Sequence, residues 1–168
     1  MKVAILVERH YQDLEVWYPY LRLKEAGVKV FFVGSGTAKK YLGKYGYPAD
    51  VDYDITEINP KDFDGVVIPG GWAPDFLRRH QPILDFIREL FKAGKVVACI
   101  CHGGWVLVSA DIIRDRTMTG FSAIKDDLKN AGANFIDQEV VIDGNLITSR
   151  NPSDLPAFCR EILKALKI

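Results

Sequence analysis

Four short runs of apolar, largely β-branched residues dominate this 168-residue chain, at positions 3–7, 28–33, 66–68 and 96–101. A strand with one wet face alternates polar and apolar residues. A nearly unbroken apolar run has to be covered on both faces, as happens in a parallel sheet. Between the runs lie segments with helical spacing. Leu14, Trp17, Leu21 and Leu23 recur up to Gly27, and Ile83, Phe86, Ile87, Leu90 and Phe91 follow Gln81-Pro82 up to Gly94. Parallel strands joined by helices need right-handed crossovers. The expected fold class is therefore α/β, a three-layer α/β/α sandwich with a mostly parallel sheet. Asp13 is placed to cap the first helix, and Pro19 inside it leaves the Glu15 carbonyl without its usual helical partner. Residues 34–46 read as a loop. Asp143-Gly144-Asn145, between residues 138–142 and 146–149, predicts a hairpin, and residues 152–166 a last helix.

The length fits one domain over residues 1–168 with a sizeable core. Lys+Arg and Asp+Glu both total 22, so no net charge attracts nucleic acid or an anionic membrane. No apolar segment reaches spanning length, and residues 1–7 carry no signal-peptide pattern, so a cytoplasmic protein is expected. Cys99, Cys101 and Cys159 lack a disulfide framework spacing, which fits a reducing compartment. No His, Cys or acidic pair has metal-ligand spacing, and Gly34-Ser35-Gly36 lacks the rest of a dinucleotide fingerprint. Neither a metal nor another cofactor is expected.

Chemistry concentrates where the fourth run ends, in Cys101-His102-Gly103-Gly104-Trp105. A strand, a sharp turn and a new helix put a thiol at a corner, where unpaired N–H groups and a helix start favour a thiolate. Cys101 is a candidate nucleophile, or simply the end of a core strand. A second glycine corner, Pro69-Gly70-Gly71, ends the third run, and open α/β sheets bind ligands at such strand ends. The N–H groups of Gly71 and His102 could form an oxyanion hole, Gly70-Gly71 otherwise being a plain turn. Of three histidines, His10 and His80 precede the cysteine and His102 adjoins it. This argues against the order nucleophile, acid, histidine, and leaves His102 as the default base or as a helix-end cap. Glu15, near the end of the first strand, could donate to the thiolate or accept a substrate proton, or simply be an acid favoured near a helix N-terminus. Asp75, after the glycine corner, could orient His102 or be one loop aspartate among many.

Several segments in fixed order carry a resemblance: VVIPGGWAPD, KVVACICHGGWVL, GFSAIKDDLKNAGANFID, VVIDGNLITSRNPSDLPAF and DLEVWYPYLRLKEAG. Together they resemble, from end to end, the PfpI-type intracellular proteases within the superfamily of the parkinsonism-associated deglycase. The resemblance implies a flavodoxin-like sandwich with a nucleophile elbow, assembled into dimers and in this branch hexamers. It implies Cys101 as nucleophile, His102 as its partner, Glu15 as the buried acid facing the thiol, Gly71 with the His102 N–H as oxyanion hole, and Gly70 and Arg150 near the substrate. The acid that orients the histidine comes, in the family, from a neighbouring subunit and is a glutamate; here that position is Asp75. Gly104 stands where the family has proline, and Gln12 where related proteases often carry an acid. The implied activity is cysteine-dependent hydrolysis of small peptides or of methylglyoxal-modified amino groups. The alternatives are a glutathione-independent glyoxalase making lactate, and a redox-responsive stress protein that uses Cys101 oxidation.

Overall fold

The computed structural model describes residues 1–168. In chain order the elements are β1 (Lys2–Val7), α1 (Asp13–Glu25), β2 (Lys29–Gly34), β3 (Lys40–Leu42), β4 (Pro48–Asp50) and β5 (Tyr53–Asp54). There follow β6 (Gly65–Ile68), α2 (Ala73–Leu77), α3 (Gln81–Lys92), β7 (Val96–Ile100) and α4 (Gly104–Ser109). The chain ends with β8 (Thr117–Met118), α5 (Lys125–Asn130), β9 (Asn134–Phe135), β10 (Val140–Asp143), β11 (Leu146–Ser149) and α6 (Leu155–Ala165). Seven strands form one sheet in the order β10-β11-β7-β6-β1-β2-β5, parallel throughout except for the β10–β11 hairpin. The four apolar runs are its centre. Every residue of β6 and β7 is buried, because α1 and α6 cover one face while α2, α3 and α4 cover the other. This is the expected three-layer α/β/α sandwich.

Amphipathic helices supply the covers. On α3 the buried residues Ile83, Leu84, Phe86, Ile87 and Leu90 lie on one stripe, and Gly94 takes the left-handed conformation just beyond its end. Pro19 is buried within α1 without ending it. The hairpin follows Asp143-Gly144-Asn145, with Gly144 at φ 62°.

Three local expectations are corrected. Gln12, not Asp13, caps α1: its side-chain oxygen accepts the Glu15 N–H at 3.0 Å. Asp13 is taken up instead by the N–H groups of Tyr45 and Tyr47, at 2.9 and 3.0 Å. Residues 34–46 are not all loop, since β3 pairs antiparallel with β4. Asp75 lies on the short helix α2 rather than in a loop. No helix is long and apolar enough to cross a membrane.

Register then decides where chemistry can occur. Ile68 pairs with Cys99, and β1 lies beside β6, so the segments leaving β1, β6 and β7 emerge together at one edge of the sheet. The loop carrying Tyr11 and Gln12 crosses the glycine corner: Gln12 N–H donates to the Gly70 carbonyl and Trp72 N–H to that of His10.

Candidate active site

The elbow is built from backbone strain. Cys101 has φ 60°, in the left-handed region that a side chain with a Cβ enters only at a cost of about 1–3 kcal/mol. That conformation turns the chain from β7 into a single 3-10 turn, Cys101–Gly103, and on into α4. The glycines beyond it have no room for side chains. A Cβ on Gly103 would meet the Ile68 carbonyl oxygen at 2.8 Å, and one on Gly104 would meet Leu128 Cδ2 at 2.9 Å. Close packing of α4 against α5 thus accounts for glycine at position 104. The same twist brings sequence neighbours together, with Cys101 Sγ 3.3 Å from His102 Nδ1.

Around the sulfur, donors and acids converge. The backbone N–H groups of His102 and Gly71 lie near enough to Cys101 Sγ to favour its ionised form. Gly71 has φ 75°, and a Cβ there would come within 2.5 Å of Gln12 N and 2.8 Å of Tyr11 C. Glycine is therefore required at position 71 for its N–H to face the thiol. Gly70 N–H donates to Glu15 Oε2 at 2.7 Å. A Cβ on Gly70 would wedge between that oxygen at 2.6 Å and Cys101 Sγ at 3.0 Å, so the carboxyl and the thiol face each other across the missing side chain. Glu15 Oε1 is buried without a hydrogen-bond partner, and the Cys101 thiol lies close enough to influence the ionisation of the carboxyl.

These surroundings set the protonation states. Burial raises Glu15 to about 7, against the pull of the Gly70 N–H and the thiol hydrogen bond. The sequence led us to expect a thiolate; here burial and then the Glu15 charge push Cys101 up to about 12, against the N–H groups of His102 and Gly71. Burial is the larger cause and the sealed acid facing the sulfur the second, and the two N–H groups at the elbow do not outweigh them. Both groups hold their protons below about pH 7; above it the pair keeps one, on the sulfur, and the two titrate as a pair. Burial first, and the Lys44 charge second, lower the His102 pKa, so its ring is neutral. The ring stacks on Phe121 at 4.8 Å and meets the edge of Trp105 at 5.1 Å, which fixes its plane.

Above the thiol lies a cavity of about 270 Å³, lined by Glu15, Gly71, Cys101 and His102 together with Gln12, Lys44, Tyr45, Trp72, Phe121 and Pro152. Larger cavities lie elsewhere, among them one of about 600 Å³ beside His10 and Arg79, but none of those we describe contains the thiol. Of the residues expected from sequence, Cys101, His102, Glu15, Gly70 and Gly71 come together. Two do not. Asp75 pairs with Arg79, just beyond the end of α2, at 2.5 Å, and Arg150 is bound to Asp154 at 2.9 and 3.0 Å and to Asp137 at 2.9 Å. Neither lines the cavity. The Arg150–Asp154 pair instead braces the turn that presents Pro152 to it.

Lys44, Tyr45, Trp72 and Phe121 escape sequence reasoning as site residues. Trp72 had a usable signal, directly following a glycine corner. Lys44 and Tyr45 had none, since the composition of residues 34–46 points nowhere.

Comparison with known proteins identifies the family. The model of the DJ-1/PfpI family matches residues 1–165. The deglycase PH1704 of Pyrococcus horikoshii is 44% identical over 99% of this chain and 100% of its own length. Protein/nucleic acid deglycase 2 of Escherichia coli is 42% identical, covering 98% of this chain and 97% of its own. Among solved structures, a two-domain protein of Anabaena variabilis with DJ-1/ThiJ/PfpI-like and ferritin-like domains superposes with a TM-score of 0.97 at 46% identity. That match covers 99% of this chain and 48% of the longer one. Schizosaccharomyces pombe DJ-1, at 23% identity, has a TM-score of 0.89 over 98% of this chain and 90% of its own, a likeness of fold. A family model matched from residue 1 to 165 and relatives aligned along their full lengths show that this chain belongs to the DJ-1/PfpI family.

Proposed function

We propose that the protein is a Cys101-dependent hydrolase that removes methylglyoxal adducts from amino groups and thiols. The observation that carries this is the Glu15 carboxyl facing the Cys101 thiol across Gly70, beneath a small cavity. Relatives bearing the name deglycase support it. The cavity suits a three-carbon adduct better than an extended peptide, although the same residues would serve a peptide carbonyl.

In the reaction, Sγ attacks the carbinol carbon of the adduct while the thiol proton passes to Glu15. The carbon–nitrogen bond breaks, the amine leaves with a proton from the site, and a hemithioacetal remains on the sulfur. Glu15 then moves a proton from that carbon to the adjacent carbonyl carbon, while the hydroxyl proton passes from the carbinol oxygen to the carbonyl oxygen, leaving a lactoyl thioester. The N–H groups of Gly71 and His102 hold the oxygen that becomes negative at each stage. Water, with His102 as base, hydrolyses the thioester to lactate and regenerates the thiol. Free methylglyoxal can enter at the hemithioacetal stage, so glyoxalase activity on the same residues is the second function favoured by Glu15.

The test is Cys101→Ala, assayed on a methylglyoxal-modified thiol, free methylglyoxal and a fluorogenic peptide. Turnover should fall at least about 10³-fold on whichever substrate the wild type uses. Undiminished release of lactate by the variant would overturn the assignment.

The functional unit is a homo-oligomer, a dimer or a hexamer. Leu14, Tyr18 and Leu21 are exposed on α1, with Tyr45 and Tyr47 exposed nearby, a cluster of apolar surface that suits a contact between copies. Asp75 of one copy would orient His102 of another. Light scattering should show a mass at least twice the 18.9 kDa of one chain, and a monomer at working concentration would remove Asp75 from the site. Three free cysteines suit a reducing compartment such as the cytoplasm.

A further inference from the structure

Charge in the cavity is uneven. Glu15 is sealed at its floor and held by the Gly70 N–H, and His102 is neutral and stacked on an aromatic ring. The remaining charged residue on the walls is Lys44. Its ammonium makes no ion pair in the chain, whereas its acidic neighbour Asp13 is occupied by the N–H groups of Tyr45 and Tyr47. The backbone around Lys44 is anchored: its own N–H donates to the Tyr11 carbonyl at 2.8 Å, and the Gly43 N–H donates to that of Tyr47 at 2.8 Å. Gly43 has no room for a Cβ because the Asp13 carboxylate fills that space. A cation without an ion-pair partner, its ammonium 5.4 Å from the centroid of the Tyr45 ring, is thus carried by a built turn at the mouth of the thiol cavity. It also lies close enough to act electrostatically on Glu15 and His102. The Gln12 side chain spends its oxygen on the Glu15 N–H, which leaves its amide N–H groups free as donors on the same wall.

We propose that Lys44, assisted by the Gln12 amide, selects substrates carrying a carboxylate beside the adduct, so that the preferred substrates are glycated free amino acids and their thiol analogues rather than uncharged adducts. This rests on the hydrolase function proposed above. A partly exposed ion pair of this kind contributes about 1 kcal/mol, or roughly 5- to 10-fold in selectivity. Apolar walls supplied by Trp72 and Phe121 would hold the uncharged part of either substrate.

The experiment compares methylglyoxal hemithioacetals of N-acetylcysteine and of N-acetylcysteine amide, which differ only in the carboxylate. Wild type should favour the acid roughly 5- to 10-fold in kcat/KM. In Lys44→Gln the ratio should collapse toward one through KM for the acid, and in Lys44→Arg it should survive. Taking a ratio cancels any effect of Lys44 on the reactivity of Glu15. Equal use of both substrates by wild type, or a preference that persists in Lys44→Gln, would overturn the proposal. A parallel arm titrates N-acetylcysteine and its amide onto Cys101→Ala and the double variant Cys101→Ala/Lys44→Gln, followed by Trp72 fluorescence. Selective binding of the acid that depends on Lys44, without turnover by wild type, would sink the hydrolase and uphold the selectivity. Equal binding of acid and amide would sink the selectivity whatever the turnover.

Discussion

Glu15→Gln should give an enzyme that is both more stable and nearly inactive. Glutamine keeps the acceptor for the Gly70 N–H and fills the same space, but it can neither take the thiol proton nor return it. Loss of a positioned acid–base group typically costs about 10²- to 10⁴-fold in rate. Stability moves the other way. In the folded protein Glu15 holds its proton up to about pH 7, against an ordinary value of 4.5, so the native state binds the extra proton between those pH values. Stability therefore falls as pH rises through that window, and above pH 7 the buried charge costs about 3 kcal/mol. Glutamine removes that cost. The variant should melt roughly 5–10 °C higher than wild type at pH 8, with the two curves converging near pH 4.5. The wild-type rate should climb with pH through about 7, as Glu15 becomes able to accept the proton. A wild-type rate that is flat between pH 5.5 and 8.5, or an active Glu15→Gln enzyme, would exclude Glu15 as the proton carrier.

Gly71→Ala should damage both fold and chemistry. At φ 75° a Cβ is strained wherever it points, and here it would sit 2.5 Å from the Gln12 nitrogen and 2.8 Å from the Tyr11 carbonyl carbon, neither of which is a flexible side-chain tip. Relief requires the 10–12 loop to move away from the glycine corner. That breaks the Gln12–Gly70 and Trp72–His10 backbone bonds and withdraws the Gly71 N–H from the sulfur. We expect a loss of about 2–4 kcal/mol in denaturant unfolding. The fraction that remains folded should show a further drop of about 10²- to 10³-fold in kcat, the size associated with removing one oxyanion donor. A folded Gly71→Ala protein with normal kcat would show that this N–H takes no part in catalysis.

The architecture was legible before any coordinates. Unbroken apolar runs at residues 3–7, 66–68 and 96–101 can be covered only in a parallel sheet between helices, and the Asp143-Gly144-Asn145 turn admits only the antiparallel edge. The elbow was equally visible, because glycines at 70, 71, 103 and 104 stand where two central strands end. Local chemistry was less so. Gln12 displaced Asp13 as the cap because the two N–H groups at Tyr45 and Tyr47, more than thirty residues away, claim the Asp13 carboxylate. The same long-range closure delivers Lys44 to the thiol cavity, and no local pattern in residues 34–46 foretells it.

Sequence alone determined the layers, the order of alternation and the identity of the thiol at the bend, since these follow from periodicity and from the glycines that stand where the central strands end. Tertiary structure alone decided the protonation of that thiol and the walls around it. Burial and the approach of Glu15 from a helix 86 positions earlier raise the energy of its charge, and that cost depends on distances in space that spacing along the chain does not encode.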